Sequence, residues 1–220
     1  GIFMALSRIA IALALCLAVT FSGGCEPKLY SIDFGIEQDL GNSQGEWLTT
    51  IPGPYEFAPE GLLPKANMIC CPLTFKGDFT MTMKVLVYAS MGNPTLYLIF
   101  AENPVYVLDI SHTQMLLLGF YGIGSADEAF MVVDRSDEGS TGFPPVLLIP
   151  GINRGGENIL TIRRKGNLVS IKCNGTSVYD HTIQYFDSSW FAPHIYATSP
   201  GDSLIIGRVE VEYFTARDSI

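Results

Sequence analysis

Two glutamates near the end of the chain have the residue type and spacing for acid–base chemistry. Glu210 and Glu212 are one residue apart, so both point to the same face of an extended strand. Two such carboxyl groups flanking one bond are what glycoside hydrolysis requires. If Val209 and Val211 face a core, however, both glutamates face solvent. A catalytic pair and a solvated strand face therefore both remain open.

Asp109 is a third candidate, because it is a carboxylate within the otherwise apolar segment 105–110. A buried carboxylate needs a hydrogen-bond partner or a ligand. Aromatic side chains are the better indication of binding, since sugar rings stack on them, although they also fill cores. Trp190 is the most suggestive because its surroundings, residues 187–194, resemble a loop. The predicted ligand-binding residues are Tyr97, Tyr106, Asp109, His112, Tyr121, Trp190 and His194.

Metal chemistry has little support in the sequence. The three histidines are isolated, without the short spacing of metal ligands. The acidic segment 134–138 lacks the oxygen spacing and the glycine of an EF-hand. We therefore expect no cofactor, with calcium at 134–138 as the weaker alternative. Beyond the N-terminal segment the cysteines are Cys70, Cys71 and Cys173. A disulfide from Cys173 to either neighbour and burial as small apolar side chains are both open.

The N-terminus indicates export. After Arg8, residues 9–21 form an apolar run of 13 residues. A helix that spans a bilayer needs about 20 residues, so this length suits a signal peptide. Ser22-Gly23-Gly24-Cys25 resembles a bacterial lipobox, with Ser22 where leucine is preferred. We expect residues 1–25 to be a signal peptide, Cys25 to carry lipid, and a membrane-anchored protein of the cell envelope, periplasmic or at the surface. Ordinary secretion and an uncleaved anchor are the alternatives.

The net charge of −9 excludes some partners. Thirteen Lys and Arg residues oppose 22 Asp and Glu residues, and Arg8 is the charged residue of the predicted signal peptide. Such a chain has no electrostatic surface for nucleic acid and is a poor match for an anionic membrane surface.

Residues 26–220 are predicted to form one β domain, with residues 26–29 as a tether. Apolar residues alternate from Phe79 to Val87, the pattern of a half-buried antiparallel strand. The segments 95–101, 105–110 and 114–121 are further predicted strands. Asn174-Gly175 is a strong hairpin signal, because a type I′ turn needs positive φ at both positions. Residues 127–132 suggest a short helical turn.

Three motifs carry a family resemblance. They are Phe75-Lys76-Gly77-Asp78-Phe79, the segment 158–167 followed by Asn174-Gly175-Thr176, and the last strand, 209–214. Together they resemble the concanavalin A-like lectin/glucanase superfamily, near its 3-keto-disaccharide hydrolase-like and laminin G-like members. The resemblance implies a jelly-roll sandwich of two antiparallel sheets, with any sugar on the concave face or the loops at its rim.

The resemblance leaves the activity open. Glucanases of this architecture often carry Glu-x-Asp-x-x-Glu on one strand, and this sequence lacks that pattern. We therefore expect carbohydrate binding without catalysis. The alternatives are a glycoside hydrolase or keto-sugar lyase acting on di- or polysaccharides, with Asp109, Glu210 and Glu212 as candidate catalytic residues, and a structural envelope protein.

The lipid anchor is directly testable. In cells that express the full chain, Cys25→Ser should abolish incorporation of an alkyne-labelled fatty acid and release the protein from the membrane fraction. Cys16→Ser, within the apolar run, is the control and should retain both. Labelling that survives Cys25→Ser would rule out Cys25 as the lipidated residue.

Overall fold

The computed structural model describes residues 26–51, 55–65, 67–102, 114–186 and 190–218, which are mostly antiparallel β-strands. The elements in chain order are β1 (Lys28–Asp33), α1 (Phe34–Glu37), β2 (Gly41–Asn42), β3 (Gly45–Glu46), β4 (Leu48–Ile51), β5 (Glu56–Ala58), β6 (Gly61–Leu63), β7 (Met68–Cys70), β8 (Leu73–Tyr88), a 3₁₀ turn (Ala89–Met91), β9 (Thr95–Ala101), β10 (Met115–Tyr121), β11 (Ala129–Ser136), β12 (Gly139–Gly142), β13 (Val146–Leu147), β14 (Gly155–Lys165), β15 (Leu168–Cys173), β16 (Thr176–Thr182), β17 (Ala192–Thr198) and β18 (Leu204–Asp218). No helix within these ranges is long and apolar enough to cross a membrane.

Two large sheets contain most of these strands. Sheet I has the order β16-β15-β14-β8-β18-β6-β5, and β1 also pairs with β18. Sheet II has the order β12-β11-β10-β9-β17-β7-β4, and β13 also pairs with β11. The two sheets pack face to face around one apolar layer. The predicted two-sheet antiparallel β-sandwich of the jelly-roll type is confirmed.

Strict alternation on β8 and β18 builds the sheet I side of this layer. The predicted inward set on β8 is buried as expected: Phe79, Met81, Met83, Val85 and Val87. On β18 the inward set is Leu204, Ile206, Val209, Val211 and Tyr213. The pairing register with β8 shifts between Ile206 and Val209, as a bulge at Gly207 would require. The bulge restores the inward phase from Val209 to Tyr213, and a second register shift follows between Tyr213 and Thr215.

The predicted hairpin turn is present between β15 and β16. Asn174 and Gly175 have φ angles of 50° and 80°, the left-handed values that a type I′ turn requires. The buried Asn158 supports this turn, because its Oδ1 accepts from Nδ2 of Asn174 at 3.0 Å. Its Nδ2 donates to the carbonyl oxygens of Asn153 and Gly156 at 2.8 and 3.1 Å. One buried amide thus joins the hairpin to the start of β14.

Cys70, Cys71 and Cys173 are buried thiols that form no disulfide with one another. Burial raises the pKa of the Cys70 thiol to about 12 and that of Cys173 to about 11, and it also raises the pKa of Cys71. Thiols with such values stay protonated at neutral pH and react slowly. Of the two alternatives that the sequence left open, the structure has the small buried side chain rather than the disulfide.

Two local predictions were wrong. The expected tether already contains Lys28 and Leu29 of β1, which pairs with β18 along its whole length. Within the segment 127–132, residues 129–132 belong to β11 rather than to a helical turn, because Phe130 and Val132 fill the inner layer at period two. In both places, pairing with a distant strand decides the conformation. The predicted signal peptide and the predicted strand 105–110 lie outside the described residues.

A buried carboxylate holds the loop between β10 and β11. Glu128 accepts hydrogen bonds from the amides of Gly124 and Ile149 at 2.7 and 2.8 Å and from Nε of Arg154 at 2.7 Å. Burial would raise the pKa of Glu128, but the hydrogen bonds from Arg154 and Gly124 and the charge of Arg154 outweigh it and lower the pKa. The carboxylate is therefore ionised in the folded protein at neutral pH.

Glu128→Gln should lower the free energy of unfolding at pH 7 by about 1–3 kcal/mol, because it removes the charge of a buried carboxylate that accepts hydrogen bonds from two amides and from the partly exposed Arg154. Folding lowers the pKa of Glu128. The stabilisation from its ionised carboxylate is therefore fully present above the pKa of the unfolded chain and is lost as the pH falls through the pKa of the folded protein. The difference between the two proteins should therefore shrink below about pH 4. Urea unfolding at pH 7 and pH 3 measures this. The exposed neighbour change Asp127→Asn is the control, and a pH-independent difference would contradict the assignment.

Candidate functional site

The outer face of sheet II carries the exposed aromatic side chains that the sequence singled out on β9 and β10. On β9, Leu96, Leu98 and Phe100 point into the core, so Tyr97 points outward. Tyr97 pairs with Tyr196 on β17 and with Gly119 on β10. Three neighbouring strands therefore meet at Tyr97.

Three tyrosines form the site, which we call the tyrosine face: Tyr97, Tyr121 and Tyr196. The rings of Tyr97 and Tyr196 have centroids 5.9 Å apart and planes inclined by 18°. Tyr121 lies two residues after Gly119, so it is a diagonal cross-strand neighbour of Tyr97, at a typical separation of about 7–8 Å. Tyr121 is 44% exposed, and the other two are half-buried. The result is an aromatic surface on three adjacent strands.

Gly119 gives Tyr97 room to lie across β10. A Cβ at position 119 would be 3.0 Å from Cε1 of Tyr97 and 3.4 Å from Cγ of Met131. The missing side chain therefore makes a slot for the ring. The sequence alone did not single out Gly119 or place Tyr196 in the site. Strands β10 and β17 are mostly buried on both faces, so no period-two pattern marks the outward positions of these two residues.

Apolar side chains support the tyrosine face. Met68, Ile99, Ala101 and Met115 form a buried cluster against which Tyr97 and Tyr196 pack. Burial, with smaller effects from the hydroxyls of Tyr121 and Tyr196, raises the pKa of Tyr97. The Tyr97 hydroxyl is therefore neutral at physiological pH and can donate as well as accept a hydrogen bond.

The tyrosine face lacks an acid–base pair in the described part of the chain. The outward positions of β9, β10 and β17 carry apolar, hydroxyl, glycine or histidine side chains and no carboxylate. Such a surface can stack on a ring and exchange hydrogen bonds with hydroxyl groups. In the described part of the chain, it offers no carboxylic acid to protonate a leaving oxygen.

The other described ligand-binding candidates add no accessible surface to the tyrosine face, although His194 lies two residues before Tyr196 on the same face of β17. His194 is fully buried, and its Nδ1 is 3.0 Å from the carbonyl oxygen of Ala192. Trp190 precedes β17, six residues from Tyr196, which corresponds to about 20 Å along a strand. Its ring lies 4.3 Å from the guanidinium carbon of Arg217. We leave both residues out of the tyrosine face.

Tyr106, Asp109 and His112 lie outside the described residues. In the sequence they fall between β9 and β10, the two strands that carry Tyr97 and Tyr121. Their contribution to the site therefore stays a prediction.

The two glutamates lie on the opposite side of the sandwich. Glu210 and Glu212 alternate with the buried Val209 and Val211, so they point outward from sheet I. Glu210 forms an ion pair with Arg208 at 2.6 Å. Because a core about 10 Å thick separates the two sheets, neither carboxylate can reach a ligand on the tyrosine face.

The acidic segment 134–138 begins with a structural carboxylate. Asp134 is buried and accepts hydrogen bonds from three consecutive amides, those of Gln184, Tyr185 and Phe186, at 2.6, 2.8 and 2.5 Å. Its oxygens are thus committed to the loop that follows β16. Within the described ranges, no group of three or more His, Cys, Asp or Glu side chains is placed to hold a metal ion.

Solved structures with the same fold include proteins named for carbohydrate recognition. The carbohydrate recognition domain of Emp47p is 11% identical with a TM-score of 0.66, covering 88% of this chain and all of that one. A galectin-like protein of unknown function from Bacillus subtilis is 12% identical with a TM-score of 0.62, covering 85% and 96%. The apo Crh5 transglycosylase is 13% identical with a TM-score of 0.56, covering 87% of each chain.

These identities show a shared fold and nothing finer. The chain shares the galectin-like, two-sheet β-sandwich fold of these structures. No protein-family model matches the sequence, and the comparison with curated proteins finds no match.

The slot at Gly119 can be tested by filling it. Gly119→Ala should displace the Tyr97 ring, lower the free energy of unfolding by about 1–2 kcal/mol and move the Tyr97 pKa toward its ordinary value. Urea unfolding and ultraviolet titration of tyrosinate measure the two effects. Gly142→Ala is the matched control, because nothing lies within 4 Å of a Cβ at that position. If both variants behave alike, the Tyr97 ring does not occupy the slot.

Proposed function

We propose that this chain is an exported cell-envelope protein, anchored by lipid at Cys25, whose tyrosine face binds carbohydrate without catalysing a reaction. The observation that carries the proposal is the grouping of Tyr97, Tyr121 and Tyr196 on three adjacent outward positions of sheet II. Export and anchoring rest on the N-terminal sequence alone.

The physical argument concerns the two surfaces of a sugar ring. Its C–H face is apolar and packs on an aromatic ring, and its edge carries hydroxyl groups that need partners. The tyrosine face provides both, because each ring ends in a hydroxyl. Neighbouring strands are about 4.8 Å apart, so three of them offer a surface on the order of 10 Å wide. This width suits a disaccharide or a segment of a longer chain.

The comparisons support the proposal at the level of fold. A sandwich of this type serves as a carbohydrate recognition domain in Emp47p. The identity of 11% carries no residue of that site to this chain. The assignment of the tyrosine face as the binding site therefore rests on the arrangement of its three tyrosines in this structure.

Hydrolysis or transglycosylation is the second candidate, because a transglycosylase shares the fold and two carboxylates share one strand face. Against it, Glu210 is already paired with Arg208. Catalysis predicts product release from di- and oligosaccharides that is lost in Glu212→Gln. Binding alone predicts no release from any substrate of the same panel.

The binding test is affinity electrophoresis of the full chain, in detergent, through gels that contain glucans, galactans, mannans, chitosan or fructans. We expect retardation by at least one polysaccharide. Tyr97→Ala combined with Tyr196→Ala should weaken binding tenfold or more, which corresponds to about 1.4 kcal/mol.

Tyr55→Ala is the matched control, since Tyr55 is 39% exposed and lies in sequence just before β5 of sheet I. Equal retardation of the double variant and the wild type would refute the tyrosine face as the site. Migration unaffected by every polysaccharide would refute carbohydrate binding.

A further inference from the structure

A second cleft lies on the outer face of sheet I, between strands β14, β8 and β18. Its volume is about 290 Å³, just below the usual range of small-molecule sites, about 300–1,000 Å³. Its polar and aromatic lining is contributed by Asp78, Thr80, Arg163, Lys165, Glu212 and Phe214. None of these residues belongs to the tyrosine face.

The pairing register explains the shape of this cleft. Thr80 pairs with Arg163 on one side and with Glu212 on the other. Strands are spaced by about 4.8 Å, so the backbones at Arg163 and Glu212 are about 10 Å apart. The short side chain of Thr80 therefore forms the floor of the cleft. The longer side chains of Arg163 and Glu212 form its two walls. Phe214, 48% exposed, extends the Glu212 wall with an aromatic surface.

The two walls keep their hydrogen-bonding groups available. Farther along the same face, Arg208 pairs with Glu210 and Lys84 pairs with Glu157. Within the described part of the chain, neither Arg163 nor Glu212 takes part in an ion pair. One wall therefore presents guanidinium donors and the other presents carboxylate acceptors.

The charges of the cleft favour a neutral occupant. The exposed cations Arg163 and Lys165 are balanced by Asp78 and Glu212, so a purely anionic or cationic ligand gains attraction on one wall and repulsion on the other. Arg164 also lines the cleft, but it is 5% exposed and its guanidinium lies against the ring of Phe186. A ring rich in hydroxyl groups can donate to the carboxylates, accept from the guanidinium and lay its apolar face on Phe214.

A smaller cleft of about 170 Å³ continues the surface along β8. Thr82 and Lys84 form its floor, between Ile159 on one side and Arg208 and Glu210 on the other. The step from Thr80 to Thr82 is about 7 Å along an extended strand. Two successive clefts at this spacing suit consecutive units of a linear chain better than a single ring.

We infer that the outer face of sheet I is a second saccharide-binding site, which takes a neutral oligosaccharide along Thr80 and Thr82 between Arg163 and Glu212. The tyrosine face lies on the opposite outer face of the sandwich. Bridging of two glycan chains by one molecule would follow only together with the proposed function of the tyrosine face and is not part of this inference. The inference uses residues of sheet I alone, so it stands or falls separately from the tyrosine face.

The test maps amide chemical shifts of the isotope-labelled full chain, in detergent micelles, during titration with cellohexaose, laminarihexaose or chitohexaose at millimolar concentration. We expect one of these probes to shift the amides of Thr80, Arg163 and Glu212. Arg163→Gln with Glu212→Gln should remove these shifts and leave any shifts at Tyr97 and Tyr196 in place.

Lys172→Gln with Asp180→Asn is the matched control, because it removes one exposed charge of each sign from the same sheet outside the cleft. Tyr97→Ala with Tyr196→Ala should leave the sheet I shifts unchanged. Sheet I shifts without tyrosine-face shifts would support this site and contradict the proposed function. The inference would be overturned if the probes shifted only amides of sheet II, or if they shifted no amide at all. It would also be overturned if glycine betaine, a small zwitterion used as a non-saccharide probe, shifted the sheet I amides while none of the three oligosaccharides did.

Discussion

The alternation of side chains along β8 and β18 is the constraint on which the rest of the structure depends. These two long strands pair with each other at the centre of sheet I, and each sends every second residue into the shared apolar layer. A slip of one residue would expose five large apolar side chains of β8 to water and bury its threonines. The shift in pairing register near Gly207 has the same cause. Regular pairing of β18 with β8 is interrupted there, and the residues on either side both keep their apolar side chains in the core.

Every outer surface follows from this inner layer. Once Leu96, Leu98 and Phe100 are committed to the core, Tyr97 has to face outward, and its neighbours on β10 and β17 follow from the register. In the same way, burial of Met81 and Val211 sets Thr80 and Glu212 side by side on sheet I. The sandwich therefore separates an aromatic, uncharged surface from a charged one by the thickness of its core. Within the described residues, no carboxylate of sheet I can therefore reach a ligand that is held on the tyrosine face.

Local patterns were sufficient to predict the fold class and several elements. Period two identified the inward face of β8, and Asn174-Gly175 identified a turn whose φ angles are a property of those two residues. Cross-strand neighbours could not be predicted in this way. Tyr97 and Tyr196 are 99 positions apart, and no local pattern encodes their pairing. The same holds for β1, whose place depends on β18, and for Glu128 and Asp134, whose roles depend on amides in distant loops. Tyr97 and Tyr121 could therefore be named from the sequence, whereas the slot at Gly119 and the separation of Trp190 from them could not.

The free, buried thiols have a consequence for biogenesis. Cys70, Cys71 and Cys173 are enclosed within the packed protein, and their raised pKa values keep them protonated there. While the chain is still unfolded, the same thiols are open to oxidants and to one another. If the chain is translocated unfolded into an oxidising compartment, the yield of folded protein depends on two rates. The sandwich has to fold faster than the exposed thiols are oxidised. In the described part of the folded chain, these three thiols are then protected by packing.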